Sequence, residues 1–357
     1  MGEELGLDEL RDLLQQLLDG RDGGVIAIPD EHGRGFDAML WREMAELGML
    51  SLPVATHFGG LGLGIAHLGV LYEELGRHLA SVPALPTMIV ATLIGRAGSE
   101  AARARLLPAI AAGTCRAALA LPSSAPLPAP DANGLWSGTI DHVLFADIAD
   151  LLVLPVATRS GETRLAVIAA GTPGVTVASK PAVDLTRSLG RIDLTAVAVG
   201  QVDLIDMDQA GWAALCDHAA LGLACDAIGG AEALFEITNA YLKVREQFGR
   251  PIGSFQALKH RMADWTVRIE AVKALVRHAA TMLASGDADA SQLASGAKAY
   301  ACDIYADFAG DAVQLHGGIG FTWEHPCHLF LKRAKLDQHL FGDGKFHRDR
   351  VAELAFT

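Results

Sequence analysis

The chain after residue 206 keeps a helical spacing of its apolar residues through four successive long segments, and this spacing leaves few folds open. The segments cover residues 212–246, 254–284, 289–315 and 324–340, and glycine or proline separates them. Apolar residues that recur every three or four positions indicate amphipathic helices, and glycine and proline are typical of helix ends. Long helices with short connections predict a bundle in which helix packs on helix.

The middle of the chain has a different pattern. Short apolar runs such as DLLVLPVA and GVTVASK are separated by clusters of Pro, Gly, Asp and Ser, which is typical of successive strands. In the first part of the chain, helical spacing is found over residues 6–19, 36–50 and 65–80. The predicted fold class is therefore mainly α with a central β domain. The predicted domains are a helical N-terminal domain (1–114), a small β domain (115–205) and a C-terminal four-helix bundle (206–357).

Charge and hydropathy narrow the possible partners. The formal net charge is -13, and because phosphate backbones are bound by clustered Lys and Arg, we expect no nucleic acid. The apolar runs are too short to span a bilayer, and the acidic N-terminus does not resemble a signal peptide, so we expect no membrane association and a cytoplasmic location. Five cysteines without CxxC spacing predict reduced thiols and no metal site: Cys115, Cys216, Cys225, Cys302 and Cys327.

A glycine cluster, GGLGLG at residues 59–64, is similar to a dinucleotide-binding loop. No predicted strand precedes it, and its glycine spacing fails at Ile65 and His67. We therefore interpret it as a turn between helices.

The stretch YLKVREQFGRPIGSFQ, residues 241–256, combines a helix end, a Gly-Arg-Pro turn and the start of another helix. Arg245 at a helix C-terminus has a structural explanation, because a cation there interacts favourably with the last carbonyl groups. However, Arg245, Gln247, Phe248 and Gln256 also offer a phosphate clamp, an apolar shelf and amide donors beside one bend. The residues alone leave both interpretations open.

A second stretch, VQLHGGIGFTWEHP at residues 313–326, adds glycines at a helix end. Gly317 and Gly318 allow a backbone or a cofactor to approach closely, and Gln314 lies one helical turn before them. We interpret His316 as a helix-end histidine rather than a base.

Together these two stretches resemble the acyl-CoA dehydrogenase family. The similarity continues in FGGLGLGIAHLGVLYEELGR (58–77) and RAKLDQHLFGDGKFHR (333–348) and covers nearly the whole chain. The resemblance implies FAD-dependent α,β-dehydrogenation of an acyl-CoA substrate, with FAD shared across a subunit interface. The positions that match those holding the ADP half of FAD in the family are Arg245, Gln247, Phe248, Ile252, Phe255, Gln256, Gln314, Gly317 and Gly318.

The catalytic base of the family is a carboxylate that removes the α proton of the substrate. The two positions that supply it in the family are here Phe341 and Ala219, and Ala220 follows the latter. Asp343 is the nearest alternative base, and Asp337 and Asp217 are more remote. Gly-Asp-Gly is also typical of a surface turn.

The half of the site that holds the flavin ring also departs from the family. A stretch that resembles TEPxxGSD in the family is ALPSSAPL at residues 120–127, and the Trp-Ile-Thr that contacts the ring is His142, Val143 and Leu144. A leucine cannot donate a hydrogen bond to flavin N5, so the resemblance implies a complete ADP half and an incomplete flavin half.

Three functions remain open at this point. The chain is the non-catalytic subunit of a heteromeric dehydrogenase, similar to the α2β2 steroid-CoA dehydrogenases of actinobacteria, in which a second acyl-CoA dehydrogenase subunit supplies the base. Alternatively, it is a self-sufficient homo-oligomer with Asp343 as a relocated base. The third alternative is an assembly subunit that binds no flavin.

Overall fold

The structure is a computed structural model, and it describes residues 5–20, 36–123 and 125–356. The α-helices within these residues are α1 (Leu7–Asp19), α2 (Ala38–Glu46), α3 (Ile65–Arg77), α4 (Ala84–Ala97), α5 (Glu100–Ala111), α6 (Gln209–Val244), α7 (Gln256–Ser285), α8 (Ala290–His316), α9 (Cys327–His339) and α10 (Gly344–Ala355). The strands are β1 (Ala117–Leu119), β2 (Ala129–Pro130), β3 (Trp136–Leu144), β4 (Leu151–Ala157), β5 (Thr163–Ala169), β6 (Val175–Lys180), β7 (Leu189–Val197), β8 (Leu204–Ile205), β9 (Glu246–Gln247) and β10 (Arg250–Pro251). The predicted fold class, helices followed by a central β region and further helices, is confirmed.

The described residues fall into two compact units. Of the described residues, the sheet unit takes in segments 36–64 and 81–219, and the bundle unit takes in segments 5–20, 65–80 and 220–356. The predicted domain boundaries at residues 114 and 205 remain predictions.

The sheet unit contains two four-stranded sheets with a common apolar core. One sheet has the order β1-β4-β5-β8, in which β1 and β4 run parallel, and the other has the antiparallel order β2-β3-β7-β6. Leu152 and Leu154 from the first sheet and Ile192 and Leu194 from the second lie in one buried cluster. Because side chains alternate along a strand, each sheet contributes one apolar face to this core.

The glycine cluster at residues 59–64 lies in the sheet unit, in the loop that precedes α3. A Cβ atom on Gly60 would come within 2.0 Å of the Val54 carbonyl oxygen, and Gly59 and Gly62 have φ angles of 84° and 67°. Close backbone approach and left-handed conformations therefore account for these glycines without a bound phosphate.

The bundle unit is held together by close helix crossings and a buried ion pair. A Cβ atom on Gly229 of α6 would lie 1.9 Å from the Glu73 carbonyl oxygen of α3, so only glycine permits this crossing. Arg333 of α9 donates to Asp226 of α6 over 3.1 Å, and both side chains are almost completely buried. A buried charge pair of this kind is strongly destabilising to break, because the remaining charge would have no counter-charge.

The last helix, α10, is absent from the sequence prediction, which ended the helical region at residue 340. The sequence GDG was interpreted as a turn, whereas in the structure the Asp343 side chain accepts a hydrogen bond from the Phe346 N–H and begins the helix. Among the described residues, no helix is long and apolar enough to cross a membrane.

Candidate functional site

The residues predicted to bind ADP begin where α6 ends, at Val244. The sequence predicted a turn at this point, and the structure forms a short antiparallel hairpin in which Arg250 pairs with Gln247 and Pro251 with Glu246. The Ile252 N–H then donates to the Arg245 carbonyl oxygen over 2.8 Å. Arg245 is therefore at the base of a closed loop, with its side chain exposed.

Phe248 is the most unusual residue of this hairpin. It and Gly249 occupy the two central turn positions with φ angles of 54° and 77°, and two positive φ angles are what the tight type I′ hairpin turn requires. A bulky side chain at positive φ is strained, and such strain is concentrated at functional positions. Because the Phe248 side chain is also 93% exposed, the hairpin holds an aromatic ring in solvent.

A second aromatic ring supports this hairpin. Phe255 lies edge-on to Phe248 with ring centroids 6.1 Å apart, and the Arg250 guanidinium lies 4.2 Å from the Phe255 centroid. A cation over an aromatic face is favourable by about 0.5–1 kcal/mol at an exposed site. The hairpin thus offers aromatic and cationic surface beside the first turn of α7, which begins at the exposed Gln256.

The glycine loop after α8 is open to close approach. Gly317 ends the helix with φ 65° and ψ -145°, a conformation that only glycine adopts readily. A Cβ atom on Gly317 or Gly318 would have no atom within 4 Å, so both glycines face open space. Gln314, one turn earlier, has an exposed side chain.

The two predicted stretches are joined in the structure. The Tyr241 hydroxyl donates to the His316 carbonyl oxygen over 3.2 Å, and the two rings stack with centroids 4.5 Å apart. Leu242 of α6 and Leu315 of α8 share a buried cluster against which Ile252 packs. The segments predicted to bind ADP therefore form one continuous region of the bundle unit. Their exposed guanidinium, amide groups, aromatic ring and open glycines fit an ADP group.

Histidines beneath the glycine loop were not singled out from the sequence, apart from His316. The His316 ring lies 4.4 Å from the His325 ring, and its Nδ1 donates to the Ala312 carbonyl oxygen over 2.8 Å. Burial lowers the pKa of His316, and burial together with the neighbouring imidazoles lowers the pKa of His325 to about 4. Both rings are therefore neutral near pH 7 and act as packing groups under the loop.

The two positions at which the resemblance predicts the base hold side chains that cannot accept a proton. Ala219 and Ala220 are almost completely buried in α6, with exposures of 1% and 0%. Phe341 is half-buried and has a φ angle of 53°. Buried Lys298 donates to the carbonyl oxygens of Gln338 and Gly342 on either side of Phe341. The loop at this position is thus held in place by its backbone.

Asp343 has a structural role at the start of α10. Its carboxylate accepts the Phe346 N–H over 2.8 Å, and this hydrogen bond is the main reason why its pKa lies below the usual value. A lowered pKa makes a carboxylate a weaker base. The other two candidates, Asp337 and Asp217, are buried at 0% and 3% exposure.

The positions predicted to face the flavin ring lie in the sheet unit. His142 is exposed with φ 59° at an irregularity of β3, whereas Val143 and Leu144 are buried at 3% and 2% exposure. In the 120–127 stretch, Pro122 and Ser123 are exposed, and Ser124 lies outside the described residues.

The cysteines and the acidic groups form no metal site in the described part of the chain. Within it, no group of three or more His, Cys, Asp or Glu side chains is arranged to hold a metal ion. The five cysteines are free thiols, and burial raises the pKa of Cys115 to about 11.

Comparison with known proteins gives a consistent result over nearly the whole chain. The sequence matches "Acyl-CoA dehydrogenase, N-terminal domain" over residues 7–114 and "Acyl-CoA dehydrogenase, C-terminal domain" over residues 211–356. The acyl-CoA dehydrogenase IpdE2 of Mycolicibacterium smegmatis is 34% identical over 327 residues, which cover 90% of this chain and 89% of that protein.

Two solved structures are similar along their full length. A variant of the Tcur3481-Tcur3483 steroid ACAD has a TM-score of 0.87 at 31% identity and covers 98% of this chain and 97% of its own. The ChsE4-ChsE5 complex from Mycobacterium tuberculosis has a TM-score of 0.89 at 26% identity, with coverage of 100% and 98%.

Proposed function

The chain belongs to the acyl-CoA dehydrogenase family, oxidoreductases that act on the CH–CH group of acyl-CoA, and we propose that it is the subunit of a heteromeric enzyme that contributes the ADP half of an FAD site and has no catalytic base. One contrast carries the proposal. Most ADP-side residues are exposed, and their segments are joined in one region, whereas Phe341 and Ala219 occupy the predicted base positions and Asp343 caps a helix.

The ADP half of the site would be held by groups with the right chemistry for a pyrophosphate and an adenine. Arg245 supplies a guanidinium, which pairs well with phosphate oxygens. Gln256 and Gln314 supply amide groups, and Gly317 lets a phosphate approach the backbone closely. Phe248 offers an exposed face on which a flat ring can stack.

The reaction needs both a hydride acceptor and a base. Bound FAD supplies the hydride acceptor, and homologues in this family bind FAD. Removal of the α proton requires a group that can take up a proton within hydrogen-bond reach. Phenylalanine and alanine cannot do so, and the Phe346 N–H that Asp343 accepts lowers the pKa of its carboxylate and makes it a weaker base. The base therefore comes from the partner chain.

The relatives support a partner of the same family. Two of the similar structures are named for pairs of proteins, Tcur3481-Tcur3483 and ChsE4-ChsE5, and the former is a steroid ACAD. By analogy, we propose a heterotetramer with a second acyl-CoA dehydrogenase subunit, a CoA thioester of a steroid or related bulky acyl group as substrate, and a cytoplasmic location.

The test is to purify the chain alone and together with the product of a neighbouring gene as candidate partner. We expect the single chain to carry almost no flavin absorbance, and to reduce no electron acceptor when acyl-CoA is added. The co-purified pair should contain flavin and turn over. Stoichiometric FAD with turnover from the single chain would contradict the proposal and favour the homo-oligomer with Asp343 as base.

A further inference from the structure

A cleft between the end of α6 and the beginning of α7 has no role in the proposed function. Its volume is about 380 Å³, near the lower end of the ~300–1,000 Å³ range of small-molecule sites. All of its walls belong to the bundle unit. Its lining includes Leu242, Lys243, Ser254, Leu258, Lys259 and Met262.

The lining is divided between apolar and polar groups. Leu242, Leu258, Met262 and Pro251 supply apolar surface. Leu242 and Met262 are also part of the buried cluster of this unit, so this part of the lining is fixed by the core. An apolar lining with a few convergent polar groups is the usual composition of a ligand site.

Ser254 is the first sign that a polar ligand fits here. Its Oγ is shielded from solvent and has no hydrogen-bond partner among the described residues. Buried hydroxyl groups are nearly always hydrogen-bonded, and an unpartnered one costs about 1–3 kcal/mol. Rotation about the Cα–Cβ bond of Ser254 would turn this hydroxyl towards the cleft that the residue lines, where a ligand that accepts its hydrogen bond would remove this cost.

Two lysines give the cleft its charge. Lys243 and Lys259 are exposed, and within the described chain neither ammonium has a carboxylate at ion-pairing distance. The whole chain has a net charge of -13, so two unpaired cations beside one cleft oppose the general charge of the molecule. Lys259 also lies in the first turn of α7, where the helix dipole favours an anion.

We propose that this cleft binds a small amphiphilic anion, a carboxylate or phosphate ester with a short alkyl chain. The alkyl chain contacts Leu242, Leu258 and Met262. The head group lies near the ammonium groups of Lys243 and Lys259 and accepts a hydrogen bond from Ser254. A neutral amphiphile of the same length would contact only the apolar part of the lining. The anion should therefore bind more tightly, because its charge also interacts with the two lysines.

The cleft and the proposed ADP site consist of different residues. None of the residues predicted to hold ADP, such as Arg245, Phe248 and Gln256, lines it. Gly253 and Ser254 line the cleft, whereas their neighbours Ile252 and Phe255 belong to the predicted ADP set. The short segment of residues 252–256 thus contributes to both the cleft and the predicted ADP site. The two sites can be distinguished by whether a substitution in the cleft changes the FAD content.

The test is calorimetric titration of the full chain with octanoate, octyl phosphate, 1-octanol and inorganic phosphate. We expect saturable binding of one octanoate or octyl phosphate per chain, and at least about tenfold weaker binding of 1-octanol and of phosphate alone. The relative affinity of octanoate and octyl phosphate identifies the preferred head group. Equal affinity for octanoate and 1-octanol, or no binding of either anion, would overturn the proposal.

Variants locate the binding on the chain. The double variant Lys243→Gln/Lys259→Gln should weaken octanoate binding at least about tenfold, and Ser254→Ala about threefold. Lys345→Gln removes an exposed lysine outside the cleft and should leave the affinity unchanged. An unchanged affinity in the double variant would refute this location.

FAD content separates this proposal from the proposed function. In the complex with the partner chain, the double variant should retain the FAD content of the unaltered complex. A loss of FAD would assign the two lysines to the cofactor site and overturn a separate anion site. If no partner subunit exists, the titrations of the single chain still decide the question.

Discussion

Asp343 has two possible roles, as a catalytic base or as the N-terminal cap of α10. Its position two residues after Phe341 makes it the nearest candidate for a relocated base. Its oxygen, however, accepts the Phe346 N–H at the first turn of α10, a bond that Ser, Thr, Asp and Asn commonly make at helix starts. The same bond lowers its pKa and so reduces its basicity.

Substitution of Asp343 separates the two roles. Asp343→Ala should lower the free energy of unfolding by about 1 kcal/mol, because the cap is lost. Asp343→Asn keeps a side-chain acceptor and should lose much less. Urea unfolding measures the stability, and turnover is measured in the complex. If Asp343→Asn abolishes turnover while it preserves stability, the carboxylate takes part in the chemistry.

His347 lies in a chain of hydrogen bonds that ends at Phe341. The Arg350 guanidinium donates to the Ser295 hydroxyl over 2.8 Å, and this hydroxyl can donate to His347 Nδ1 over 3.3 Å. His347 Nε2 donates to the Phe341 carbonyl oxygen over 3.1 Å. Burial, with nearby Lys298, lowers the pKa of His347 to about 4. The loop is therefore held by a neutral imidazole.

This lowered pKa makes stability depend on pH. Below pH ~6.5 the unfolded chain takes up a proton on His347 that the folded chain does not take up until about pH 4, so stability falls as the pH falls through this window. At pH 5 the loss is about 2 kcal/mol. Urea unfolding at pH 7.5 and 5.0 measures how much free energy of unfolding is lost between these pH values. The loss should be smaller by this amount in His347→Gln than in the unaltered chain. An identical loss in both proteins would show that His347 is not neutral in the fold.

Among the secondary-structure elements, the hairpin β9–β10 combines strain with exposure. Phe248→Gly should raise the melting temperature, because glycine adopts φ 54° without strain. Gly249→Ala, at φ 77°, should lower it. In the complex, Phe248→Gly should also reduce FAD content, since the exposed ring is lost. Unchanged FAD content would mean that Phe248 does not contact the cofactor.

The crossing of α3 and α6 depends on Gly229. Gly229→Ala places a methyl group 1.9 Å from the Glu73 carbonyl oxygen, a backbone atom that cannot move freely, and should destabilise the chain by about 1–3 kcal/mol. Gly310→Ala in α8 meets no atom within 4 Å and should be neutral or stabilising, because alanine favours a helix. Thermal unfolding of both variants tests the difference, and equal melting temperatures would argue against a tight crossing.

These elements also show what the sequence could and could not predict. Helical periodicity predicted α6 to α9 within a few residues, because it reports directly on which face is buried. It missed α10, since Gly-Asp-Gly indicates a turn as readily as a cap. It also missed the hairpin at Phe248, because asparagine or glycine is expected at such turns. The stacking of Tyr241 on His316 joins distant segments and has no local signal.

For the whole molecule, the residues predicted to hold ADP all lie in the bundle unit, and most of them are exposed and so available to a second chain. A cofactor site completed by two chains makes the stability of the assembly depend on the cofactor, because a ligand that binds only the assembled state stabilises it. At the positions predicted to face the flavin ring, this chain has His142 and Leu144, which differ from the residues expected in the family. We therefore propose that each chain of the pair contributes a different half of one site.

The decisive measurement is the number of FAD molecules per pair of chains when only this chain is altered. Arg245→Ala and Gln256→Ala are introduced here, and the partner is left unchanged. We predict that the assembled pair forms but contains less than a tenth of the FAD of the unaltered complex, since lost contacts to charged phosphates cost about 1.5–3 kcal/mol each. Full FAD content in this complex would show that the partner holds the cofactor without this chain, and would contradict the account.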